Sequence, residues 1–72
     1  MDITARHFTD TGRPLLYAVQ VATMADVRTR TVYQWERRGY LKAKGLDEAG
    51  NRLYDAGEAA MVAATPRKRN AA

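Results

Sequence analysis

The chain contains no cysteine. That excludes a disulfide framework and a thiolate zinc site, and it suits a reducing cytoplasm. Histidine is nearly absent too: His7 is the only one, and a lone histidine beside an aromatic reads as a surface residue, not a ligand. No glycine-rich phosphate loop is present, and no nucleophile has a base within a recognisable spacing. Asp47 and Glu48 are adjacent on a loop, so they do not form an acid and base across a cleft. The expectation is a protein that is not an enzyme and that uses no cofactor or metal. No apolar run reaches the roughly eighteen residues of a membrane span. The first residues, Met1 to Arg6, lack the charged start and apolar core of a signal peptide. At 72 residues the chain is one small domain with a thin core.

Positive charge is in surplus. The formal net charge is +4 with a pI near 9.9, which favours nucleic acid or another acidic partner. Residues 1–36 are balanced, and residues 37–72 hold eight basic groups against four acidic ones. Arginine outnumbers lysine and alanine is frequent, a bias that fits a GC-rich bacterial genome.

Asp26 to Gly39 reads as the turn and second helix of a helix-turn-helix. Val32 and Trp35 are three apart and share an apolar face. Thr31, Gln34, Arg38 and Arg30 point elsewhere, and Gly39 supplies a left-handed stop. Before it, Ala18, Val21, Ala22 and Ala25 make an apolar stripe at helical spacing, so a first helix is expected over Ala18 to Ala25. Tyr17 stands where a capping side chain would be expected. Asp26 tolerates the positive φ of a tight turn, Val27 plugs the two helices, and Thr29 is the available cap for the second. Leu15 and Leu16 should feed the core.

The flanks are less regular. Met1 to Pro14 carries a cluster of turn formers around Gly12 and is expected to be a flexible arm, with Phe8 as an anchor on the core. Tyr40 to Lys44 and Asn51 to Tyr54 alternate weakly, which predicts a hairpin through a glycine-containing loop. Asp55-Ala-Gly-Glu58 resembles a capping box opening a third helix, whose inward stripe is Ala59, Val62 and Ala63. Thr65-Pro66 ends it, and Arg67-Lys68-Arg69 begins a basic disordered tail over 66–72. The expected domain covers 15–65. Its fold class is mainly α with a small β-hairpin.

The order helix, turn, helix, hairpin, helix resembles the MerR-like winged helix-turn-helix, in its small stand-alone and excisionase-like forms. The matching stretches are Val21-Ala22 to Val27, Thr31 to Leu41 with its Glu-Arg-x-Gly-x-Leu piece, and Gly50-Asn51-Arg52-Leu53-Tyr54. The chain departs from the family pattern at Asp26, where glycine is usual, and at Arg28, where serine is usual. The resemblance implies that the second helix enters the major groove of DNA. It implies that Arg52 and Tyr54 of the wing grip phosphates while Leu53 faces the core. Arg30 is then the choice for base readout, since arginine takes guanine O6 and N7 in two bonds. Arg28 and Thr29 share that edge of the helix, and Tyr33 is placed for a phosphate or a thymine methyl. Arg37, Arg38 and Lys42 are phosphate candidates, and Glu36 holds a neighbouring arginine. Trp35 belongs to the core.

The expected partner is double-stranded DNA, bound by a small transcriptional regulator or an excisionase-like recombination factor. Nothing in the chain matches the long dimerising coiled coil of full-length MerR regulators. A monomer in free solution is therefore expected, which would meet neighbouring protomers, or a recombinase, on the DNA. The alternative is a protein-interaction module using the same scaffold against an acidic partner.

Overall fold

A computed structural model describes residues 4–65. Its elements are β1 (His7–Phe8), β2 (Pro14–Tyr17), α1 (Ala18–Ala25), α2 (Thr29–Arg37), β3 (Ala43–Leu46), β4 (Arg52–Asp55) and α3 (Ala56–Ala64). The basic tail expected over 66–72 lies outside the described residues.

The helix-turn-helix forms as its sequence requires. Asp26 takes the left-handed conformation with φ 58°. The N–H of Val27 donates to the Ala22 carbonyl at 3.0 Å and that of Asp26 to Thr23 at 3.3 Å. These two reversed bonds satisfy carbonyls that the helix end would otherwise orphan. Gly39, with φ 84°, repeats the motif after α2: Tyr40 donates to Trp35 at 2.9 Å and Gly39 to Glu36 at 3.1 Å. Val27 is half-buried against the core as the expected plug. The expected capping by Thr29 does not occur; Arg28 is the N-cap and no side chain bonds there. At α1 the cap is again unconventional, because the Tyr17 N–H donates to the Gln20 side-chain oxygen at 2.9 Å.

Val21, Ala22, Val32, Trp35, Leu41, Ala59 and Val62 pack together with Leu16 and Tyr54 into one core. Val32 has no exposed surface and Trp35 only 9%. Ala63 is exposed, not inward as its spacing implied. Asp55 caps α3, accepting from the N–H of Gly57 at 2.7 Å and of Glu58 at 3.1 Å. Glu58 does not reach back to close the box. Its carboxylate accepts from the Lys42 N–H at 3.1 Å and pairs with Lys44 at 3.5 Å.

The strands correct the expectation most. Four of them form one antiparallel sheet in the order β1-β2-β4-β3, so the domain is three helices on a sheet and not mainly α. The lead-in read as a flexible arm holds β1 and part of β2, joined by a turn in which Gly12 donates to the Thr9 carbonyl at 2.9 Å. Leu15 and Leu16 are strand residues, with Leu15 opposite Asp55 and Leu16 opposite Tyr54. A strand of four residues gives too short an alternation to stand out in sequence. Side chains alternate across the sheet, so Leu16 and Tyr54 face the helices while Leu15 and Leu53 are buried on the other face. Leu53 therefore does not join the helical core; Tyr54 does. Phe8 remains 59% exposed and anchors nothing. His7 is half-buried, its ring edge-on to Tyr17 with centroids 5.7 Å apart. The second hairpin starts at Ala43, three residues later than Tyr40, because Leu41 is drawn into the core.

Candidate nucleic-acid interface

The solvent side of α2 carries two lines of side chains four residues apart, the spacing that stacks them along one face. The first line is Thr29, Tyr33 and Arg37. It forms one wall of a groove of about 580 Å³. Gly50, Asn51 and Arg52 at the end of the β3–β4 hairpin line the same groove, as do Tyr17 and Val19 at the start of α1. The second line is Arg30, Gln34 and Arg38, all exposed and turned away from the hairpin. Arg28, also exposed, stands at the N-cap of α2.

Most of the residues named from sequence thus come together. Thr29, Tyr33, Arg37 and Arg52 share the groove, and Arg28 and Arg30 lie at the N-terminal end of the same helix. Tyr33 is 43% exposed, enough to meet a ligand with its ring. Lys42 does not join them. It sits in the link after α2, and its backbone is tied to Glu58 of α3. Tyr54 does not join them either. It has no exposed surface, and its hydroxyl donates to Glu36 at 2.8 Å. Burial and that acceptor push the Tyr54 phenol well above its ordinary pKa. A direct phosphate grip is closed to it in this arrangement.

The expected partner of Glu36 is found. Arg52 donates to the same carboxylate oxygen, Oε1, at 2.9 Å, so α2 and β4 are joined by one charge. The attraction of Glu36 raises the Arg52 pKa further.

Sequence reading missed Tyr17, Asn51 and the part played by Asp47. From sequence, Asp47 is only one of two adjacent acids on a loop. In the structure its carboxylate turns inward. It accepts from the N–H of Ala49 at 2.9 Å, the N–H of Asn51 at 2.8 Å and the Asn51 amide at 3.0 Å. It also accepts from the Tyr17 hydroxyl at 2.8 Å, which ties the hairpin loop to the start of α1. The Asn51 side chain leads the donors that hold Asp47 at a pKa of about 2. The hydrogen bond to Asp47 raises the Tyr17 phenol. An aspartate in a loop that can accept from the N–H two residues on is the local signal of such a turn. The long-range contact to Tyr17 has no local signature.

A second hollow, of about 700 Å³, lies apart from the groove and is lined by Tyr40, Met61 and Val62. Its charged walls are already paired, Arg13 with Asp55 and Lys44 with Glu58. It therefore offers no net charge to a polyanion. Among the described residues there is no group of histidine, aspartate or glutamate placed to hold a metal, and no helix long and apolar enough to cross a membrane.

The model of a family described as MerR family regulatory protein matches residues 19–54, half of the chain, from α1 to Tyr54 of β4. The search of curated proteins gave no significant match.

Proposed function

The chain belongs to the MerR family of regulatory proteins, and from that premise we propose that it binds double-stranded DNA sequence-specifically as a small transcriptional regulator. In this reading the fold acts as a winged helix-turn-helix, with α2 in the major groove and the β3–β4 hairpin as the wing. The observation that carries it is the shared groove. A helix face with Thr29, Tyr33 and Arg37 and a hairpin with Asn51 and Arg52 open onto the same space. A duplex presents base edges in a groove flanked by phosphates, and a helix beside a basic hairpin matches that layout.

Arg30 and Arg28, at the N-terminal end of α2, are assigned to base edges, the end of a recognition helix that reaches deepest. Tyr33 contacts a phosphate or a thymine methyl. Arg37 and Arg52 take phosphates across the groove, and Arg38 takes one from the far line. Lys42 is left as a peripheral charge, and Tyr54 supports the wing from inside. The role is binding without catalysis, in the cytoplasm where DNA is found. The protein works as a monomer in free solution that meets neighbouring protomers on DNA. The excisionase-like role is the variant of this reading in which the bound protein shapes DNA for a recombinase.

The test is affinity for a duplex across a salt series. With about five phosphate contacts, the logarithm of affinity falls against the logarithm of salt with a slope of about −4 to −5. A flat response sinks the reading and favours a protein-interaction module. Arg30→Ala should cost roughly 1–3 kcal/mol on the proper site and relax the preference at one base position. Arg52→Ala should weaken all sequences by similar factors and reduce the slope by about one.

A further inference from the structure

A carboxylate on a surface that is to meet phosphate is an electrostatic cost. Glu36 is such a group. It lies on α2 beside Tyr33 and Arg37, and with Arg52 these residues surround a small hollow of about 380 Å³ between helix and hairpin. Its Oε1 accepts from the Tyr54 hydroxyl and from Arg52 Nη1. The first bond satisfies a buried hydroxyl that would otherwise be orphaned. The second engages one edge of a guanidinium that has five N–H donors in a rigid fork. The Arg52 side chain is 55% exposed and lines the groove, within reach of a ligand there.

Resting on the DNA-binding reading above, we propose that Glu36 is a positioning residue for the phosphate grip: it fixes Arg52 by one edge and leaves the other edge to a backbone phosphate seated between Arg52 and Arg37. An unheld arginine samples many rotamers and must be ordered when it binds, which weakens the contact. Glu36 orders it beforehand. Because the anchor is on α2, the phosphate contact of the hairpin is also fixed in register with the base-reading face.

The sign of one substitution separates this from simple charge repulsion. Removing a negative charge from a DNA-facing surface should by itself tighten binding to a polyanion. If Glu36 works by positioning, Glu36→Gln instead weakens binding to a random-sequence duplex. The expected loss is roughly two- to fivefold, the range of an exposed ion pair. Glu36→Asp keeps the charge but withdraws the carboxylate, so it should weaken binding to a similar degree. In an Arg52→Ala background Glu36→Gln should cause no further loss. Affinities are taken at fixed salt, with thermal melts to confirm folding. If both Glu36 variants bind as tightly as the parent, or more tightly, or if Glu36→Gln weakens the Arg52→Ala protein equally, the positioning role is overturned. A parent that binds DNA with a steep salt slope alongside such variants leaves the DNA-binding reading standing. A parent that does not bind brings both down.

Discussion

Trp35 illustrates the residue scale. It is one of six aromatic residues in 72, and it is buried at the centre of the helix pair. Truncating a buried aromatic costs about 3–5 kcal/mol, while a small domain has only about 5–15 kcal/mol in total. Trp35→Ala is therefore expected to remove a large share of the stability and to lower the melting temperature sharply. Circular dichroism checks this; a variant that melts like its parent would put Trp35 outside the core. Asp26 makes the opposite case. It holds a left-handed φ of 58° without glycine, and among the described residues its side chain makes no bond. Asp26→Gly removes the steric cost of that conformation but adds chain entropy to the unfolded state. The expected net effect is a gain of up to about 1 kcal/mol, read as a higher melting temperature. A drop would mean that the aspartate side chain supports the turn.

Among the elements, α3 and the β3–β4 hairpin are each held by one aspartate. Asp55 caps α3, and the bond from Arg13 on β2's side of the sheet leads the contacts that hold its carboxyl at a pKa of about 2. Asp47 shapes the hairpin loop and is held at about 2 as well. Both folded values lie below the ordinary 3.8. Each group's contribution is therefore fully present above about pH 5 and is lost as pH falls toward 2. Thermal stability should stay level from neutral pH down to about pH 5 and then fall between pH 4 and pH 2. Melts in a buffer series read this directly. Asp55→Asn should lower neutral stability and flatten the acid limb. A parent whose melting temperature is unchanged at pH 2 would show that neither contact contributes.

For the whole molecule, the charge is arranged in patches. The exposed side of α2 and the hairpin present Arg28, Arg30, Arg37, Arg38 and Arg52, and two of the acids near them are already bonded: Glu36 to Arg52 and Tyr54, Asp47 within its own loop. The hollow on the far side balances its charges pair by pair. A surface organised this way would steer a polyanion toward one face. Sedimentation at micromolar concentration should show a monomer, and a stable dimer without DNA would overturn that. On a duplex with several sites, added protein should give occupancy steeper than a single-site curve if neighbours touch.

Much of this protein was set by local sequence. The bounds of α1, the turn at Asp26, the stop at Gly39 and the cap at Asp55 all rest on interactions within four or five residues, so they can be read from the chain. The apolar pairing of Val32 and Trp35 is likewise a matter of helical period. The tertiary structure alone decided three things. It paired Leu15 and Leu16 with Asp55 and Tyr54 across about forty residues of chain, which made a strand of them and gave part of the expected arm a sheet to join. It buried Tyr54 and gave its hydroxyl to Glu36, withdrawing a residue that its motif had marked for phosphate. It also folded Asp47 inward onto Tyr17 and its own loop, where four donors hold its charge. Each of these depends on partners distant in sequence. A strand of two to four residues carries too little alternation to name its neighbour, and a side chain's direction follows from the register that only the assembled sheet fixes.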